Sequence, residues 1–169
     1  FATHGLVPGD INGLLEPALA MTAPHIAGDP NGDGLLTMGE IFELEMNADW
    51  VVLSTCNTGT AAGVGAEAVS GLGRAFFYAG ARALLVSNWP VETTSARILT
   101  SDVFTRQQAN PALSRAEALQ RAQIALIDGA GFIDPNSNTA VFSYAHPIFW
   151  APFSLIGEGG NGQSAGESP

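Results

Sequence analysis

The sequence predicts an α/β fold built on a mostly parallel sheet, and three observations carry that prediction. Two short, near-continuous apolar runs, Trp50-Val51-Val52-Leu53-Ser54 and Ala83-Leu84-Leu85-Val86-Ser87, read as strands buried on both faces, the habit of a parallel sheet under helices. Apolar residues elsewhere recur at helical spacing, as in Val69, Leu72, Phe76 and Ala79, then Ala96, Leu99 and Val103, then Leu119, Ala122 and Leu126. The resulting order of strand, helix, strand, helix, helix, strand is that of an α/β domain.

Taken in turn, residues 1–13 read as a strand end running into a loop, with Gly5, Pro8, Gly9 and Gly13 as breakers. Residues 13–21 are compatible with a short helix or an extended edge, and residues 22–34 with a loop rich in Pro, Gly and Asp. A short helix is predicted over 38–47, with Ile41, Phe42 and Leu44 on its apolar side. The first buried strand ends at Thr55-Cys56, a Gly-rich segment continues to Gly65, and Gly80 stops the next helix. A helix over 93–108 precedes the break at Pro111. Ser114 and Glu117 form a capping box that opens another helix, stopped by Gly129 and Gly131. Residues 130–141 read as loop and 149–156 as a last strand. The tail from Gly157 is rich in Gly and Ser and reads as frayed.

Composition excludes several function classes. Apolar residues make up 46% of the 169, so the chain can build a core. Sixteen acidic residues stand against six arginines, for a formal net charge of −10. That sign opposes nucleic acid and anionic membrane surfaces, both of which attract basic clusters. It suits a cationic peptide or metal ions, and equally plain solubility. No apolar run reaches the roughly 18 residues of a membrane span. There is neither a signal peptide nor an initiator Met, so a cytoplasmic location and a start inside a longer polypeptide are the expectations.

A single cysteine, Cys56, rules out an internal disulfide. It is a candidate nucleophile: it comes after a rigid strand, and Asn57-Thr58-Gly59 would let a substrate approach its sulfur. His4 is a candidate base, and the N–H groups of Gly5 and Cys56 are candidate oxyanion donors. On spacing alone, a structural thiol and a loop histidine are the plainer reading. His25 reads as exposed and His146 as structural. No His/Cys spacing suits zinc, and without Lys there is no phosphate loop.

Five blocks carry a family resemblance: Phe1-Ala2-Thr3-His4-Gly5, Val51 to Gly59, Gly71 to Ala81, Leu84 to Val91, and Ala145 to Phe153. In this order they resemble the C-terminal, catalytic portion of a CHAT domain, a caspase-like cysteine peptidase. Thr55 stands where the family's Ser-Ala-Cys motif has a small Ala. The resemblance implies a caspase-like three-layer sandwich over residues 1–157, with 158–169 as tail. It implies a His4–Cys56 dyad cutting a peptide or protein substrate through an acyl-enzyme, or an interaction module on the same fold. It further implies that Ser87, Asn88 and Trp89, with Pro90, Val91 and Glu92, line the pocket for the residue before the cut. Glu92 or Asp49 would pair there with a basic side chain; a solvated surface acid is the blander alternative, and Trp89 reads equally as core. The family fold opens with strands and helices before the His-Gly strand, so the missing N-terminal part, or another chain, is an expected partner.

Asp29-Pro30-Asn31-Gly32-Asp33-Gly34-Leu35-Leu36-Thr37-Met38-Gly39-Glu40 fits the calcium-loop pattern at every specified position. Asp29, Asn31, Asp33 and Glu40 would supply side-chain oxygens and Leu35 its carbonyl to Ca2+. Against this, no convincing helix enters the loop. CHAT domains, moreover, often carry Gly-x-Leu-Thr-x-x-Glu-Ile here, and that resemblance accounts for Gly34, Leu36, Thr37 and Glu40 without invoking a metal. An Asx-turn-rich acidic loop is the competing reading.

Overall fold

The buried apolar runs do become strands. The computed structural model describes residues 1–55 and 64–160, which form two compact units, Phe1–Pro90 and Val91–Pro169. In the first unit β1 (Ala2–Thr3) continues almost directly into β2 (Gly5–Leu6), and then come β3 (Ala18–Ala20), α1 (Pro24–Ala27), β4 (Leu35–Thr37) and α2 (Met38–Glu43). β5 (Val51–Thr55), α3 (Val64–Tyr78) and β6 (Ala83–Ser87) complete it. The second unit holds α4 (Thr93–Ala109), α5 (Arg115–Asp128), β7 (Phe132–Ile133), β8 (Ala140–Phe142), α6 (Pro147–Trp150) and β9 (Phe153–Gly157).

The fold is mixed α/β with small sheets. Parallel pairing joins β1 to β5 and β5 to β6, with Thr3 opposite Thr55 and Leu53 opposite Val86. The pairs β2 with β3, β3 with β4 and β7 with β8 are antiparallel, so the sheet content is less parallel than the sequence predicts. The reason is local: turns at 7–17, 21–34 and 134–139 fold short strands back on their neighbours, which only antiparallel pairing allows.

The core of the first unit gathers Leu19, Ile41, Val51, Leu53, Leu72, Phe76 and Leu84. Every residue of β6 is buried, and a Leu84→Ala cavity there would cost about 2–5 kcal/mol. α2 stops at Glu43, earlier than predicted. Leu44 is already extended, and Phe42 and Leu44 are 40% and 38% exposed rather than facing the core. One turn of helix, α1, lies in the segment read as loop, with Pro24 at its start and Gly28 in the left-handed region after it. Within residues 13–21, Ala18–Ala20 is extended as β3, but it is the central strand between β2 and β4 rather than an edge, because both neighbours fold back onto it. In the second unit the capping box forms as expected: the Ser114 hydroxyl accepts from Glu117 N–H, and the Glu117 carboxylate accepts from Ser114 N–H. Residues 130–141, read as loop, contain β7 and most of β8, which pair as a hairpin ending at Phe142. Residues 149–156 divide between α6 and β9 because Pro147 opens a helical turn and His146 Nδ1 caps it, accepting from Ile148 N–H.

Candidate functional site

The strand ends of the first unit set out the rim on which a site can form. The register Ala2–Ser54 and Thr3–Thr55, with Leu53 opposite Val86, brings the carboxyl ends of β1, β5 and β6 to one edge. Side chains at such ends lie next to solvent and to the crevice beyond the sheet.

His4 sits at this edge, exposed, in the single-residue gap between β1 and β2. Its carbonyl accepts from Ala20 N–H at 2.9 Å, and the hydroxyl of the preceding Thr3 donates to the Ala20 carbonyl. Two bonds to one residue of β3 therefore fix the backbone at the histidine. Gly5 is buried and lies opposite Leu19. Cys56 and the Asn57-Thr58-Gly59 segment lie outside the described residues. Ser87, the last residue of β6, is 1% exposed; after it, Asn88 is exposed and Trp89 is half-buried.

The two acidic residues offered as partners for a basic substrate are both engaged in the fold. The Glu92 carboxylate accepts from the N–H groups of Thr94 at 2.8 Å and Ser95 at 2.7 Å, as the N-cap of α4. Partial desolvation works to raise its pKa, but the bonds from Ser95 and Thr94 outweigh it and hold the carboxyl below its ordinary value. Asp49 is ion-paired with Arg82. The adjoining bridge between Ala48 and Ala81 places that pair at the amino end of β5 and β6, away from the rim. Near Glu92 in the second unit, Tyr144 is 2% exposed. Burial first, and the Glu92 carboxylate second, push its phenol pKa up. Its hydroxyl finds no hydrogen-bond partner among the described residues.

The acidic loop brings its five candidate ligands around one cavity of about 470 Å3, lined by Asp29, Asn31, Asp33, Leu35 and Glu40. Each carboxylate also serves its own loop. Asp29 Oδ1 accepts from Asn31 N–H at 3.1 Å and Asp33 Oδ1 from Leu35 N–H at 2.9 Å. Glu40 accepts from the N–H of Thr37 at 2.8 Å and its hydroxyl at 2.9 Å, completing a capping box on α2. Thr37-x-x-Glu40 carries that box signature in the sequence, overlapping the metal pattern that ends on the same Glu40. Among the described residues no three His, Cys, Asp or Glu side chains converge as a metal site does.

A rim of parallel strand ends carrying a His-Gly step defines a class, and comparison with known proteins names it. The CHAT domain model matches residues 1–158, and the chain belongs to that family. Among characterised proteins it is similar to tetratricopeptide repeat protein 28 of Homo sapiens, 29% identical over 127 residues, covering 73% of this chain and 4% of that protein. The Mus musculus protein of the same name is 28% identical over 127 residues, with the same coverage of 73% and 4%. This chain thus spans about 4% of the length of these relatives. Among the described residues no helix is long and apolar enough to cross a membrane.

Proposed function

We infer that this CHAT domain is a cysteine endopeptidase of caspase-like, three-layer architecture, working through a His4–Cys56 dyad. The observation that carries the reading is the register of β1 on β5. Thr3 lies opposite Thr55, and His4 and Cys56 are the next residues after these two in the sequence. The His4 imidazole takes the proton of the Cys56 thiol, and the thiolate attacks the scissile carbonyl carbon. Gly5 and Cys56 N–H groups donate to the oxyanion. Collapse expels the amine, which leaves with the proton held by His4, and a thioester remains; water then hydrolyses it. Ser87, Asn88 and Trp89 lie at the end of β6 on the same rim, and the pocket reading rests on them rather than on Glu92. The chemistry needs no cofactor. Its partners are a peptide or protein substrate and a further strand for the outer edge of β1, from the same domain or another chain.

The test is the rate of iodoacetamide labelling of Cys56 across pH, for the wild type and His4→Ala. The reading expects a thiolate titrating below the ordinary value of about 8.5, displaced upward by the mutation, because only an activated thiolate alkylates fast near neutrality. An ordinary thiol, indifferent to His4, favours the alternative: a non-catalytic interaction module inside a larger, repeat-bearing protein of the kind the relatives' name describes.

A second reading, compatible with either, is that Ca2+ binds at Asp29, Asn31, Asp33, Leu35 and Glu40. The single cavity these residues line supports it. Binding would require the Asp29, Asp33 and Glu40 carboxylates to turn from their present N–H partners towards the ion.

A further inference from the structure

We propose that the first unit carries a docking groove for a cationic amphipathic segment of a partner protein, formed by residues 11–16 and β4. The groove is a cavity of about 520 Å3 with Ile11, Leu14, Leu15 and Leu35 on its walls and Glu16 and Asp33 among its polar lining residues. Leu15 is 89% exposed and Ile11 44%, although both come after a turn that Asp10 ties down by accepting from Val7 N–H at 2.9 Å. A leucine held almost wholly in water by an ordered turn presents apolar area that burial against a partner would stabilise.

Charge selects the occupant. From Asp10 to Glu45 the acidic residues are Asp10, Glu16, Asp29, Asp33, Glu40, Glu43 and Glu45, and the stretch contains neither Lys nor Arg. Glu16 Oε2 accepts from Gly39 N–H at 3.0 Å and Asp33 Oδ1 from Leu35 N–H at 2.9 Å, so both carboxylates are held in place. Such a rim attracts lysine and arginine and repels anionic surfaces. A second copy of this chain brings a net charge of −10 and is disfavoured by the same field. The fitting partner therefore places apolar side chains against Ile11 and Leu15 and basic ones beside Glu16 and Asp33.

The experiment is fluorescence anisotropy of a labelled peptide on the Cys56→Ala chain, so that its outcome is independent of the peptidase reading. The probe is an amphipathic peptide of Leu and Lys at i, i+3, i+4, i+7 spacing. Its controls replace Lys by Glu in one and Leu by Ser in the other. The proposal expects binding of the Leu/Lys peptide alone, weakened about tenfold by Leu15→Ser or Ile11→Ser, a loss of about 1.4 kcal/mol. It expects no comparable loss from Glu43→Gln with Glu45→Gln, which lie outside the cavity. Equal binding of the Ser/Lys peptide, or indifference to both serine variants, would reduce the effect to diffuse charge and overturn the groove. A sedimentation mass of two chains, reverting in Leu15→Ser, would assign the groove to self-association and overturn the proposed partner.

Discussion

The tripeptide Asp-Pro-Asn occurs in each unit, at 29–31 and at 134–136, and the two copies end differently. Both begin with the same Asx turn: Asp29 Oδ1 accepts from Asn31 N–H at 3.1 Å, and Asp134 Oδ1 from Asn136 N–H at 2.9 Å. In the second unit the turn closes on itself. Ser137 Oγ donates to Asp134 Oδ2 at 2.8 Å, and Asp134 N–H donates to the Thr139 carbonyl at 3.0 Å, joining β7 to β8. In the first unit Gly32-Asp33-Gly34 opens the chain into a cavity shared with Glu40. Identical local chemistry thus yields a sealed hairpin tip in one place and an open acidic loop in the other. The three residues after the tripeptide decide between the two, and a metal pattern read from the tripeptide alone is weak.

The largest effect expected on this comparison is at Gly131, beside the closed loop. Its φ is +80° and a Cβ there would lie 2.1 Å from the Phe142 carbonyl oxygen. Gly131→Ala should cost about 3 kcal/mol or more by urea unfolding, combining left-handed strain with a backbone clash. Calcium comes next. If the open loop binds it, Ca2+ at a hundredfold excess over its dissociation constant should stabilise by about 2.7 kcal/mol. That gain should vanish in Asp33→Asn and survive in Asp134→Asn; an unchanged melting temperature in millimolar Ca2+ would remove the calcium reading. Gly34→Ala ranks third at about 1–2 kcal/mol, from its φ of +77° and a Cβ only 3.1 Å from the Pro24 ring.

The smallest effect is acid-dependent. The Asp134 pKa is held down first by the Asn136 N–H and then by the Ser137 hydroxyl. A lowered folded value contributes stability above the unfolded pKa of about 3.9 and loses it as pH falls through the folded one. Asp134→Asn should therefore lower the melting temperature slightly on the neutral plateau and leave it nearly unchanged at pH below the folded value, so that the acid limb flattens.

The elements that the sequence made legible are those whose burial is one-sided or complete. β5, β6, α3, α4 and α5 can be read directly from apolar runs, helical periodicity and the Ser114–Glu117 box. β7 and β8 cannot, because their residues are mostly exposed and their pairing comes from the Asp134 turn and from Phe132 stacked on Phe142 at 5.3 Å, a non-local contact. On the rim, the parallel pairing that the apolar runs predict holds for β1, β5 and β6, and it brings their ends together. Asp49 illustrates a signal that was present: a residue preceding a parallel strand belongs at the opposite edge from residues that come after it. Glu92 had no such signal, since glutamate is uncommon among N-caps dominated by Ser, Thr, Asp and Asn.

The end of β3 is held from both sides. Met21 N–H is bonded to the Gly34 carbonyl at 2.7 Å, and the neighbouring Ala20 N–H to the His4 carbonyl at 2.9 Å. A span of one residue thus ties the acidic loop to the histidine, with no slack between the two bonds. Opening the loop far enough to release Met21 would loosen Ala20 as well, so their two amides should exchange hydrogen together. His4 then owes its bearing on the rim to a loop thirty positions further along the chain, as a tent pole owes its lean to a distant guy-line.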